Sequence, residues 1–247
     1  MARPKKHKPF PAPNTLPKSE TLELNVEPTV VEPAKVIEPA PTKPAPPAIC
    51  EVYVDSKRYW DVKEVNAALR EGLKSEAEFI LLTLPNAETA LTQAHVDSMV
   101  AAMRANPKCA ALSASLRGVA PFLAPNGTGK TYRPVPFVPF TTVLIRTEAL
   151  LSIGLLETRF DFGAGADIDW ALRLRSEGWE LAVSDSAVVT VNDSQADYGR
   201  PVAAHSEMAH HVMQHVLNDK WPNGAAKLTA GFTGVDMSWA WQPKKKR

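Results

Sequence analysis

The stretch Leu123-Ala-Pro-Asn-Gly-Thr-Gly-Lys-Thr-Tyr132 decides which kind of α/β fold this chain can have, because Gly129-Lys130-Thr131 has the look of an ATPase phosphate loop. Such a loop curls its backbone amides around phosphates between a buried strand and the N-terminus of a helix. The G-x-x-x-x-G-K-[ST] spacing demands glycine where Ala124 stands, and the expected helix is replaced by Arg133-Pro134-Val135-Pro136-Phe137-Val138-Pro139. Proline has no amide hydrogen to donate and disfavours helical backbone in the residue before it, so no helix starts there. The stretch reads as a surface turn around Asn126-Gly127 with Lys130 at its tip.

Upstream of that turn, Cys109 to Leu116 reads as a strand. It follows a helix from about Thr92 to Ala105 that buries Val96, Met99, Val100 and Met103 and is broken by Asn106-Pro107. Phe79-Ile-Leu-Leu82 is a continuous apolar run of the kind found in strands covered on both faces, and it stops at Pro85-Asn86. Ile49 to Val54 alternates as a strand, and Asp61-Val-Lys-Glu64 has capping-box spacing before a helix with Val62, Val65, Ala68, Leu69 and Leu73 on its apolar face. Downstream come a strand at Thr141 to Ile145, a short helix near Thr147 to Ile153, a turn at Gly154 and a helix from Asp167 to Glu177 ended by Gly178. Strands at Trp179 to Val183 and Ala187 to Val191 precede a last amphipathic helix, about Val202 to Leu217, which runs into Lys220-Trp221-Pro222. This alternation predicts one layered α/β domain over residues 48–222, with a mostly parallel sheet flanked by helices.

The ends differ in composition. Twelve of the 22 prolines precede Ala48, alongside Arg3, Lys5, Lys6 and Lys8. That segment cannot bury enough apolar surface to offset the entropy of ordering, so residues 1–47 are expected to be a disordered basic tail. Residues 223–247 read as a C-terminal extension ending in a second basic cluster, Lys244-Lys-Lys-Arg247. The formal net charge of +1 gives no overall pull towards nucleic acid or membrane. Cys50 and Cys109 are too few for a disulfide framework, which fits a reducing compartment. No run approaches the ~20 apolar residues of a membrane span, and the lysine-rich start lacks the apolar stretch of a signal peptide. The expectation is a cytoplasmic protein.

Chemistry concentrates between Ile153 and Val183. A glycine loop, Gly163-Ala-Gly165, delivers Asp167 to the N-terminus of a helix, where the dipole favours a carboxylate and tends to keep it ionised. Asp169 stands i, i+4 from Arg173, so that pair can hold the helix mouth rigid. Asp167 can equally be read as a helix cap without chemistry.

Taken together, Ile153-Gly154, Glu157, Phe160, Asp167, Asp169, Arg173 and Gly178-Trp179 resemble the C-terminal half of family-two glycosyltransferases, which have the A-type nucleotide-diphospho-sugar transferase fold. The resemblance covers about residues 49–222. It includes Asn66-Ala-Ala-Leu-Arg-Glu-Gly-Leu before Glu78-Phe-Ile-Leu-Leu, and the closing Asn218-Asp-Lys220-Trp221. It implies an inverting transferase, hexosyltransferase-like, that moves a sugar from a nucleotide-sugar to an acceptor hydroxyl on a glycan, a protein or a modified nucleic acid. Asp167 would be the catalytic base, supported by Asp169 and Arg173. Asp55, Asn66, Asn86 and Glu88 would lie on the donor side.

The departures are specific. Where the family has the Asp-x-Asp that holds Mg²⁺ or Mn²⁺, this chain has Leu84-Pro85-Asn86, so the hard cation loses its charged oxygen ligands. Val191-Asn192 replaces a histidine that often completes the metal site, and Ala166 replaces the glutamate before the base. Material of the order of 50 residues is missing from the nucleotide half, more than an error of a few residues in an element boundary can explain. Two other readings follow: a non-catalytic binding subunit serving a protein partner, and a protein that docks on nucleic acid through its basic tails. His211 and His215 have i, i+4 metal spacing but no adjoining glutamate in the metalloprotease arrangement. Trp239 and Trp241 are expected to dock onto the domain.

Overall fold

The computed structural model describes residues 47–54, 61–84, 87, 89–117, 122–160, 163–190 and 202–241, the side chains of 202–206 excepted. The proline-rich tail, Asp55, Asn86, Glu88, Val191-Asn192 and the terminal Lys244-Lys-Lys-Arg247 lie outside those residues.

The chain begins with β1 (Ile49–Tyr53), α1 (Val62–Lys74), β2 (Phe79–Thr83), α2 (Gln93–Ala105) and β3 (Cys109–Arg117). Then come β4 (Arg133–Pro134), β5 (Thr142–Arg146), α3 (Thr147–Ile153), α4 (Ala166–Ser176), β6 (Glu180–Thr190), α5 (Val202–Lys220) and α6 (Gly224–Thr229), with a 3₁₀ turn at Ser238–Ala240. Asp61 caps α1 by accepting from the Lys63 amide at 2.7 Å, one position short of the amide a capping box would use. The complete box is at α2, where the Thr92 hydroxyl accepts from the His95 amide and the His95 ring accepts from the Thr92 amide.

The sheet has six strands in the order β1-β2-β5-β3-β6-β4. It is mixed, which corrects the mostly parallel expectation. β1 and β2 run parallel, as do β3 and β6, but β5 is antiparallel to both β2 and β3, and β4 is antiparallel to β6. The cause is the absence of a helix between β3 and β5 among the described residues. A parallel return needs a crossover of a dozen or more residues, usually helical, whereas the proline-rich stretch from Arg133 leads the chain straight back. The two strands expected after Trp179 are one, β6, kinked where Ala114 pairs with Ser184 but Ser115 pairs with Val188. That bulge re-aims Asp185 out of the ladder.

Strand alternation sorts the core into two layers. Ile80, Leu82, Val143, Ile145, Leu181 and Val183 face α1, α3, α4 and α5. Phe79, Leu81, Leu112, Leu144 and Ala182 face α2 through Val96, Met99 and Met103. The domain also reaches past residue 222, since Leu228, Met237 and Ala240 are buried in the first layer and Trp241 packs against it. Among the described residues, no helix is long and apolar enough to cross a membrane.

Leu123 to Tyr132 forms turns and bends without a helix, as its prolines require. The Asn126 carboxamide oxygen accepts from the Thr128 amide and hydroxyl, and Gly127 and Gly129 take positive φ. Lys130 is exposed. Replacing it with alanine is expected to change stability by no more than ~0.5 kcal/mol and to leave ATP affinity unaltered. A large loss of ATP affinity in that variant would restore the phosphate-loop reading.

Candidate functional site

α4 starts abruptly because of what precedes it. Gly165 occupies the cap position at φ 85°, and a Cβ there would lie 2.5 Å from Met213 Cγ of α5. Only glycine satisfies both the left-handed backbone and that close approach. The Gly165 carbonyl accepts from the Asp169 amide at 2.9 Å, and the Gly163 carbonyl accepts from Ala166 at 3.1 Å. Asp167 enters the first turn, where its Oδ1 accepts from the Ile168 amide at 2.9 Å.

Asp167 and Asp169 have opposite circumstances. Asp169 is 0 % exposed, and each of its oxygens is engaged. Oδ2 meets Arg173 Nε at 3.0 Å, and Oδ1 meets Lys220 Nζ at 2.7 Å and accepts from the Trp221 indole N–H at 2.8 Å. Arg173 also donates to the Ile153 and Leu155 carbonyls, at 2.6 and 2.8 Å, so the expected i, i+4 pair does hold the approach to α4. Lys220 extends the network to Glu157 at 3.3 Å. Asp167 and Asp169 are two residues apart on a helix and do not share a face, so Asp169 and Arg173 organise the surroundings of Asp167 without converging on it.

Asp167 has no charged partner among the described residues. The residue is partly exposed, yet its carboxyl is packed closely enough that burial pushes it up to about 7, against the pull of the Ile168 amide and its own. This reverses the expectation that the helix N-terminus keeps it ionised: desolvation outweighs the dipole. A raised acid pKa means that the folded state binds the proton more tightly than the unfolded state. Stability from this group is present below pH ~4, declines as pH rises towards about 7 and is flat beyond, at ~1.4 kcal/mol for each pH unit of separation. Thermal melts should therefore show Asp167→Asn gaining on the wild type between pH 4 and 7. Parallel profiles would mean that the carboxyl is solvated.

No family model matches the chain, and no curated protein matches it. The site is thus described by its own geometry. Asn66 is 2 % exposed, and its carboxamide is closed on one residue: Nδ2 donates to the Leu156 carbonyl at 3.0 Å and Oδ1 accepts from the Leu156 amide at 2.9 Å. That is a clamp between α1 and the loop before α4, which engages both ends of the carboxamide. Asp55, Asn86 and Glu88 lie outside the described residues. Leu84 is buried where the family resemblance has a metal carboxylate, and among the described residues no group of three or more His, Cys, Asp or Glu could hold a metal ion. His210, on the same helix as His211 and His215, bonds Gln214 at 2.9 Å.

Sequence reasoning missed two features. Trp170 lies one turn beyond Asp167 on the same face of α4, fully buried, edge-on to Phe140 with ring centroids 5.3 Å apart, and its indole N–H has no partner among the described residues. Phe140 lies just before β5, whose Thr142 pairs with Thr83, the last residue of β2. The first turns of α4 thus lie near the carboxyl end of a parallel strand, where open α/β sheets bind ligands. The second feature is Asp185, held by Arg133 at 2.8 and 2.9 Å and by the Ser115 hydroxyl at 2.7 Å. Burial raises its carboxyl, but Arg133 and Ser115 outweigh that and hold it below the usual range. Arg133 also donates to the Phe122 and Ala124 carbonyls, so this pair fastens the Leu123–Tyr132 turn to the sheet. The available signal was an acid between two apolar strand patterns and an arginine at the end of the turn.

Proposed function

We propose that this domain is a truncated, divergent glycosyltransferase-like protein in which Asp167 is the base. The observation that carries the reading is the contrast within α4: Asp169 is wholly engaged, whereas Asp167 has no ion-pair partner among the described residues and titrates near neutrality. A base with pKa near the working pH combines a useful ionised fraction with real proton affinity. The Asp167 carboxylate takes the acceptor hydroxyl proton as that oxygen bonds to the anomeric carbon. The bond to the nucleotide diphosphate breaks on the opposite face, giving inversion and releasing the nucleoside diphosphate.

The residues at the end of β2 do not fit a hard cation, because Leu84 is buried and apolar and Pro85 has no side-chain oxygen. No step is routed through a metal. The same observation favours a second reading, a binding subunit that keeps the acceptor half without donor chemistry. A thermal-shift screen of nucleotide-sugars, each with Mn²⁺ and with a chelator, tests the proposal. A donor at ~100 times its Kd should stabilise the fold by ~2.7 kcal/mol in either condition. No shift with any nucleotide-sugar would leave the binding-subunit reading, and a shift only with Mn²⁺ would overturn the metal-free mechanism.

A further inference from the structure

The segment after α5 is joined to the start of α4 by bonds in series. The Trp241 indole N–H donates to the Trp221 carbonyl at 2.9 Å, and Asn218 Nδ2 donates to the Trp241 carbonyl at 3.1 Å. The Trp241 ring lies so close to Gly224 that no Cβ fits there, and Lys227 Nζ stands 5.6 Å from the centre of the Trp221 ring. The Trp221 indole N–H in turn donates to Asp169 at 2.8 Å, beside Lys220. The Asp169 amide bonds the Gly165 carbonyl, and Met213 of the same α5 sits on Gly165.

We propose that the carboxy-terminal segment Trp221–Trp241 is a strap that positions the Gly163–Asp167 loop, with Trp241 and Trp221 acting on it through Asp169 and the placement of α5. Neither tryptophan touches Asp167 in the bonds described, so both are positioning residues. Their effect is to hold α5, and with it Met213, against the glycine that opens α4. This goes beyond the transfer reading and stands whether or not Asp167 acts on a sugar.

The test uses the full chain and two variants that keep aromatic bulk, Trp221→Phe, which removes the bond to Asp169, and Trp241→Phe, which removes the bond to Trp221. Trp241→Ala is the harsher companion, and if it fails to fold the phenylalanine variants carry the test alone. Amide hydrogen exchange followed by NMR is expected to quicken at least ~10-fold at Gly163, Ala166, Ile168 and Asp169, while amides of α2 on the opposite face keep wild-type protection. The Asp167 carboxyl, titrated by carbon NMR, is expected to move down by at least ~1 unit as water reaches it. Unchanged exchange at those four amides overturns the proposal. So does equal acceleration in α2, which would mean global destabilisation, and so does an Asp167 titration that stays at its wild-type value. Because none of these readouts measures transfer, failure here is distinguishable from failure of the glycosyltransferase reading.

Discussion

Asp167→Asn is expected to fold as the wild type does and to transfer sugar at least ~100-fold more slowly, the usual scale of general-base catalysis. Asparagine keeps the oxygen that accepts from the Ile168 amide, so α4 retains its first turn. What disappears is the ability to take a proton. An interaction needed only as the acceptor is deprotonated lowers turnover without weakening ground-state binding, so the mutant should still bind any donor found in the thermal-shift screen. The wild-type rate should climb between about pH 6 and 8 as the carboxyl, held up to about 7, ionises, and the residual rate of the mutant should lack that step. Equal rates for the two proteins would remove Asp167 from the mechanism. No transfer by either with any donor would leave the binding-subunit reading.

Asp169→Ala is expected to destabilise the fold by about 3 kcal/mol or more in chemical denaturation, the scale for removing one partner of a buried ion pair. The loss exceeds that of an ordinary surface pair because Arg173 and Lys220 are themselves mostly covered and would be left facing each other without the shared carboxylate. The Trp221 indole N–H would also lose its acceptor. Double substitution of Asp169 and Arg173 to alanine should cost less than the sum of the two single changes, since they share one network. A single-mutant loss below ~1 kcal/mol would mean that both cations relax into water and that the network is incidental.

Much of the architecture was legible because its signals are local. Asn106-Pro107, Gly154 and Gly178 end helices by backbone chemistry, and α2, α3 and α4 lie within a residue or so of where those signals put them. The exclusion of the phosphate loop rested likewise on prolines at fixed positions. Strand direction was not local. Thr142–Arg146 has the same apolar pattern whichever way it runs, and only the helix-free connection before it told that it returns antiparallel.

The candidate site shows the same division. The Asp169–Arg173 pair follows from one turn of helix, but Lys220 and Trp221, about fifty residues on, complete the pocket of charge around Asp169 through packing that no spacing rule reaches. Asn66 shows the same limit from the other side: the family resemblance put it on the donor side, and no local pattern told that its carboxamide bonds the backbone of Leu156, ninety residues away. The titration of Asp167 was also out of reach, because it depends on how much water the folded chain excludes and not on the helix that carries it.

The place of β5 has a consequence for how this chain is made. β2 and β3 pair with β5 and not with each other, so the sheet is two strand sets, β1-β2 and β3-β6-β4, joined by one five-residue strand. As the polypeptide leaves the ribosome, everything up to Arg117 emerges before the strand that unites it. β2 and β3 must wait with their hydrogen-bonding edges open, and such edges invite pairing with other chains. A nascent chain stalled before Arg146 clears the exit tunnel would therefore hold β2 and β3 without the strand that lies between them, and synthesis of residues 142–146 closes those two edges while the far edge of β3 still waits for β6.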